Sequence, residues 1–362
     1  MNTVARTVVA RTVADVVDAV IGVDTHLDTH SLEMVAPNGV TLATLQVDTT
    51  DEGLARVVSW IGEHAPGPRV MAALEGARSY GITLNRVLTA AGIPVGDVQA
   101  PEAKQRRKGK SDAIDARAAA LRLLATDLDK LPIPRADGER EALRMLLTGR
   151  LEQSDTRTRQ ANALHALLAS AEQDLRALGK GKFSNKTLRQ LAALPAPDPD
   201  APWQQKVQHG EITRLAAAIL ALDEALKAND KQLTAIVTQL LPSLLDEVGV
   251  GPVVAARILV TFSHPARFRN EGSFAMLTGT APIPATSGKR QNKHRLNRGG
   301  DRLANNAIHT VVMTRWRCCP DTQAYIARRR AEGLTDRDIR RCLKRYVSRQ
   351  LFRHLNQAMA HA

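Results

Sequence analysis

The hydrophobic period of the chain changes at Pro132 and Pro134, and that change limits the fold more than any other feature. Before it, short β-branched runs alternate with helical stretches. Residues 17–24 (VDAVIGVD) form the first run and end in Asp24; strand signals follow at 31–35 and 40–47, around the turn Pro37-Asn38-Gly39. A helical stretch at 52–63, a strand at 69–74 ending in Glu75, a helix at 79–91 closed by Gly92, a strand at 93–98 and a helix from Ser111 complete the order. Three meandering strands, then helix, strand, helix, strand and helix, predict a mixed sheet flanked by helices.

Beyond the prolines the period is helical. One long pattern covers 139–178, with Leu143, Leu146, Leu147, Leu151, Ala161, Leu164, Leu167 and Leu168 three or four apart. A Pro-rich break (LPAPDPDA, 194–201) separates it from a second at 211–241, marked by Leu215, Ile219, Leu222, Leu226, Leu233, Ile236 and Leu240. This predicts a long helical hairpin or coiled coil, whose leucine seam faces either a second copy or the body of the protein. Residues 242–362 read as mostly helical around a Gly/Pro/basic loop at 278–300. The fold class is α/β plus α, divided into a leader arm (1–16), a mixed-sheet domain (17–130), a helical hairpin (136–241) and a helical C-terminal domain (242–362).

Charge is distributed unevenly. From Lys289 onward there are 18 Lys and Arg against five Asp and Glu, which accounts for the entire net charge of +13; residues 1–288 are neutral. A neutral body with a cationic end is the footprint of a polyphosphate partner, and arginine, which dominates here, suits bidentate phosphate contacts. No apolar run approaches the ~20 residues of a membrane span. Arg6, Arg11, Asp15 and Asp18 interrupt the first twenty residues, unlike a secretory signal. Cys318, Cys319 and Cys342 crowd toward one end, against a disulfide framework and in keeping with a reducing cytoplasm.

Three constellations carry chemistry. Asp112 and Asp115 lie three apart on a helix, and the basic run Lys104, Arg106, Arg107, Lys108 and Lys110 precedes them. Two Asp in a first helical turn behind a Ser cap are also ordinary helix-start chemistry. Asp24 and Glu75, which end strands expected to be neighbours in one sheet, tip the balance toward a divalent cation such as Mg2+, without which four gathered carboxylates would repel one another. The second constellation, Leu244 to Pro252, ends one helix at Gly249 and begins another at Pro252. Its hGhG pattern, with Gly249 and Gly251, is that of a helix-hairpin-helix, whose backbone N–H groups grip phosphate; a purely structural turn is the alternative. The third is Ser287, on a loop with Lys289, Arg290, Lys293, Arg295 and Arg298, cations that favour a nucleophile and a phosphorus transition state. Taken alone, Ser287 is an ordinary loop serine. His26 and His30 read as strand residues, and Trp316, Tyr325 and Tyr346 as core. Aromatics at 3% argue against a large base-stacking platform.

The stretches GVDTHLDTH (22–30), LEGARSYG (74–81), KQRRKGKSDAIDA (104–116), VGVGPVVAARIL (248–259), FAMLTGTAPIPATSGKR (274–290), NRGGDRLANNAIH (297–309) and RRCLKRY (340–346) together give the chain a family resemblance. It resembles insertion-sequence transposases that join an N-terminal RuvC-like (RNase H-like) DEDD domain to a C-terminal serine transposase domain, the bridge-RNA-guided recombinases. Leu27 and the pair Ala77-Arg78 depart from the commoner family residues. The resemblance implies that Asp24, Glu75, Asp112 and Asp115 are metal ligands for Mg2+ and that Ser287 is the nucleophile forming a phosphoserine link to DNA. It further implies donor and target DNA, a structured non-coding guide RNA and a homodimer or homotetramer as partners, in the cytoplasm and with no membrane. Lys104, Arg106, Arg107, Lys108, Lys110, Gly249, Gly251, Lys289, Arg290, Lys293, Arg295, Arg298, Arg340, Arg341, Lys344 and Arg345 are the expected nucleic-acid contacts. The reading is a transposase acting by strand exchange. A site-specific invertase of the same family, a hydrolytic RuvC-like nuclease and a non-catalytic nucleic-acid-binding protein are the rivals.

Overall fold

The computed structural model describes residues 11–77, 79–98, 112–128, 131, 134, 138–264, 267–285 and 294–359, with side chains from Asp115 onward in the helix that opens at Asp112. The chain divides into two compact units, 1–136 and 137–362.

In the first unit, strands β1 (Ala19–Thr25), β2 (Thr29–Val35), β3 (Thr41–Asp48), β4 (Val70–Glu75) and β5 (Val95–Val98) form one sheet in the order β3-β2-β1-β4-β5. β1, β2 and β3 are antiparallel neighbours; β4 runs parallel to β1, and β5 parallel to β4. This is the mixed sheet that the period-2 runs predict, and it is consistent with a RuvC-like fold. Every residue of β1 is buried, as a central strand requires. Ala19, Ile21, Val23, Ala72 and Leu74 face helices α1 (Asp51–His64) and α2 (Ile82–Ala90) in one core. Val20, Val35, Ala73 and Val98 face α3 (Asp112–Leu124) in another. Part of the expected leader belongs to this second core: Val13 is fully buried, and its N–H donates to the Thr126 carbonyl at 2.9 Å. Residues 11–16 are therefore structural, whereas 1–10 lie outside the described residues.

The second unit opens with the helical hairpin. α4 (Gly138–Ala169) and α7 (Trp203–Leu240) run antiparallel, since their ties descend along one helix as they climb the other. Asn229 Nδ2 donates to the Leu146 carbonyl at 3.0 Å, Arg157 Nη2 to Asp223 Oδ2 at 3.2 Å and Gln208 Nε2 to the Leu167 carbonyl at 2.9 Å. The two ends of the leucine seam are buried within the chain, whereas Leu222 and Leu226 at its middle are half-buried and Leu151 is exposed. Leu164 and Leu168 pack with Leu188, Leu191, Ile212 and Ile219 at the tip, while Leu143, Leu233 and Val237 at the base join the C-terminal core.

Two expectations fail in this hairpin. The first helix stops at Ala169 instead of running to 178, because the chain folds back as α5 (Gln173–Leu178) and α6 (Asn185–Ala192) to cap its tip; the Phe183 ring stacks on His165 at 4.1 Å. Leu175 and Leu178 keep the helical spacing across that break and so conceal it. The second helix begins at Trp203, eight residues before 211, directly after Pro202, whose fixed backbone suits a helix entrance.

The remaining elements are α8 (Pro252–Phe262), α9 (Glu271–Leu277), the hairpin β6 (Pro282–Pro284) and β7 (His294–Leu296), α10 (Arg302–Cys318), α11 (Pro320–Ala331) and α12 (Asp336–Met359). The helices among them share one core with the bases of α4 and α7, so the core is continuous across residues 241–242. α8 starts at Pro252 as expected, but no helix ends at Gly249: α7 ends at Leu240, and a single 3-10 turn, Pro242–Leu244, intervenes. Among the described residues no helix is long and apolar enough to cross a membrane.

Candidate functional site

Each unit presents a candidate site. In the first, side chains alternate across the sheet, so Asp24 shares the α3-facing side with Val20, and Glu75 shares it with Ala73. The last paired positions of β1 and β4 are Val23 and Leu74, which sets Asp24 and Glu75 next to each other at the carboxyl ends of adjacent parallel strands. Asp24 is buried and Glu75 half-buried. His26 Nε2 lies 3.2 Å from Asp24 Oδ2, and Thr25 Oγ1 donates to the Glu75 carbonyl at 2.6 Å, tying the two strand ends together.

Asp115 is half-buried on α3; Asp112 opens the same helix one turn before Ala116, and its side chain lies outside the described ones. Among the described residues no three His, Cys, Asp or Glu side chains converge to hold a metal. The structure thus brings Asp24 and Glu75 to one place and carries α3 across the same sheet face.

Gly22 sets how closely α3 approaches. A Cβ there would fall 1.8 Å from the Ala116 carbonyl oxygen and 2.7 Å from the Ala120 nitrogen, so helix and strand backbones touch. Arg117 sets the helix's rotation. Its guanidinium donates to Glu33 Oε1 at 2.9 Å and to the Gly39 carbonyl at 2.6 Å, and also reaches the Thr41 hydroxyl. Glu33 is buried, and this pairing satisfies its charge. Neither residue was among the expected site residues. A glycine inside a β-branched run, two residues before Asp24, was the available signal for Gly22.

In the second unit a cleft of about 1140 Å3 is lined by Arg295, Arg298, Arg302, Arg337, Arg340, Arg341 and Lys344, and no carboxylate lines it among the described residues. Lys344 donates to Asn305 Oδ1 at 2.7 Å, and the Asn305 amide donates to the carbonyls of Thr278 and Gly279 at 2.9 and 3.0 Å. Burial lowers the pKa of Lys344; His309 in the same cleft is also lowered, first by burial and then by the charges of Lys344 and Arg340. The cleft is therefore short of negative charge.

Arg341 and Arg345 are partly neutralised, by Asp338 at 2.8 Å and Glu271 at 3.1 Å. Gly249, at φ +86°, packs against α10, where a Cβ would sit 3.1 Å from the Val311 carbonyl; Arg315 Nε ties the adjoining Val248 carbonyl at 2.7 Å. Gly251 faces open space, but Asp246 and Glu247 line the same hollow. Lys104, Arg106, Arg107, Lys108, Lys110, Ser287, Lys289, Arg290 and Lys293 lie outside the described residues.

One unit carries carboxylates at adjacent strand ends of a mixed sheet, and the other a cation-lined cleft among helices. Two family models match in order: the IS110-type DEDD transposase model over residues 21–172, and the Transposase IS116/IS110/IS902 family over 243–327. Over these two stretches the chain is similar to the IS110/IS116 family of transposases. It is similar to the insertion element IS116 uncharacterized 44.8 kDa protein of Streptomyces clavuligerus, 30% identical over 43% of this chain and 40% of that protein. It is also similar to the insertion element IS110 uncharacterized 43.6 kDa protein of Streptomyces coelicolor, 29% identical over 34% of this chain and 31% of that protein. The chain thus spans less than half the length of these relatives in the matched stretches.

Proposed function

We propose that the protein is a DNA transposase that exchanges strands of an insertion element by phosphoryl transfer, in the cytoplasm and guided by a structured non-coding RNA. The observation that carries this reading is the pairing of Asp24 and Glu75 at adjacent strand ends, on the sheet face that α3 crosses with Asp115. Hard carboxylate oxygens in that position suit Mg2+, with Asp24, Glu75, Asp112 and Asp115 as its holders. When bound, the ion would neutralise charge developing on the phosphate oxygens.

Ser287 is the nucleophile in this reading. Its Oγ forms a bond to a backbone phosphorus as a DNA oxygen leaves, and attack by a new DNA hydroxyl reverses the step. The phosphodiester energy is kept in the protein–DNA link and is not lost to water. Arg295, Arg298, Arg340 and Lys344 hold donor and target DNA through their phosphates, with Arg341 and Arg345 contributing less. Guide RNA and assembly as a homodimer or homotetramer follow from the family resemblance.

The test traps protein on a nicked DNA substrate in Mg2+ and maps the attached residue. Ser287→Ala should abolish both adduct and recombination while DNA binding persists, and Asp112→Ala should abolish recombination. An adduct at another hydroxyl would refute the nucleophile; cleavage with no adduct would replace the reading with a hydrolytic nuclease.

A further inference from the structure

The β6–β7 hairpin stands between two clefts, and Arg295, Leu296 and Arg341 line both. The first is the cation-lined cleft described above. The second differs in kind. It measures about 520 Å3, within the ~300–1,000 Å3 typical of small-ligand sites, and Pro282, Leu296, Cys342 and Tyr346 give it an apolar wall.

Tyr346 is the unexpected member. Sequence placed it in the core, yet it is 51% exposed, because Leu343 and Val347 on either side of it turn inward and leave position 346 outside. Its ring is held in place: Tyr325 meets it edge-on at 5.7 Å and 83°, and the Arg349 guanidinium sits 6.0 Å from its centroid. Arg345 and Arg349 both reach Glu271 Oε1, at 3.1 and 2.9 Å, and Arg353 reaches the other oxygen at 3.8 Å. Three guanidinium charges on one carboxylate leave an excess of positive charge beside an exposed aromatic ring. Asp338 is the one acid lining the cleft among the described residues, against Arg295, Arg329, Arg341, Arg345 and Arg349.

A flat exposed ring flanked by surplus arginine charge matches one chemistry: a nucleobase joined to phosphates. We propose that this second cleft takes an unpaired base of a single-stranded DNA segment, stacked on Tyr346, with the flanking phosphates on Arg345 and Arg349. In a duplex both faces of each base are already covered by stacking, so only an unpaired segment can offer one to the ring. The proposal rests on the reading that the chain exchanges DNA strands, since strand exchange exposes such segments between leaving one partner and joining the next. With a phosphate-binding cleft on one side of the hairpin and a base-binding cleft on the other, the hairpin stands where duplex and single strand diverge.

The experiment uses the full chain and a ten-residue oligothymidylate carrying a central 2-aminopurine, whose fluorescence falls when it stacks on an aromatic ring. Wild type should bind and quench it. Tyr346→Leu should bind about 5- to 150-fold more weakly and lose the quench, the range expected for one base–aromatic stack. Tyr346→Phe should keep both, because the ring is what stacks, and duplex affinity should be unchanged in either variant. Wild-type affinity and quenching in Tyr346→Leu would overturn the proposal. So would an equal loss of single-strand and duplex binding in a Tyr346→Leu protein that melts with wild type, which would make the ring part of the duplex-binding surface, or preference for an oligouridylate of the same length, which would assign the cleft to RNA. Failure of the wild type to bind either form of DNA would instead remove the functional reading beneath it.

Discussion

Gly22→Ala tests whether the contact between α3 and β1 positions the carboxylates. The added Cβ would lie 1.8 Å from the Ala116 oxygen, and both partners are backbone, so no side chain can swing aside. Relieving the clash to an ordinary contact of 3.4 Å moves α3 away from the sheet by about 1.6 Å. Overpacking of this kind costs about 1–3 kcal/mol, which for a unit of this size lowers the melting temperature by roughly 3–12 °C. The functional cost is larger. Asp112 and Asp115 ride on α3 whereas Asp24 and Glu75 stay with the sheet, and a constellation of this type tolerates displacements of only about 0.5 Å. Recombination should fall by about 100-fold or more while the protein stays folded at assay temperature.

Melting followed by circular dichroism, alongside a plasmid recombination assay, checks both effects. Gly62→Ala in α1 is the matched control: its site is open, and removing a helical glycine there should stabilise by about 0.5–1 kcal/mol. If Gly22→Ala melted with wild type and recombined at the wild-type rate, the helix–strand contact would not be what sets the site.

Arg117→Ala should destabilise the first unit by about 1–3 kcal/mol, because it leaves the buried Glu33 carboxylate without its cation; Glu33→Gln in the same background should recover part of the loss in a urea titration. Leu164→Asp puts a charge into a fully buried position between α4, α6 and α7, so it should melt the hairpin tip, read as lost helical circular dichroism, and not merely separate copies of the chain in sedimentation. Neutralising Arg340, Arg341, Lys344 and Arg345 together should flatten the plot of log affinity for duplex DNA against log salt by about 2, not 4, at ~0.9 per phosphate contact, because Arg341 and Arg345 already have carboxylate partners. An unchanged slope would place the binding surface elsewhere.

Sequence alone determined the order of strands and helices in the first unit, the adjacency of the strands that end in Asp24 and Glu75, and the confinement of the net charge to the C-terminal segment. These follow from period, turn residues and composition, which are properties of neighbouring residues. Three matters were decided only in the folded chain. α4 stops at Ala169 although the leucine spacing continues, because Phe183, Leu188 and Leu191 return to cover its tip. Gly22 allows a helix nearly a hundred residues later to lie against β1. Tyr346 faces outward although aromatics are scarce, since the rotation of α12 is set by Leu343, Val347 and Leu351 packing into the shared core. Periodicity specifies that a helix has an apolar stripe; which residues border that stripe, and how closely two backbones approach, depend on side chains supplied from distant parts of the chain.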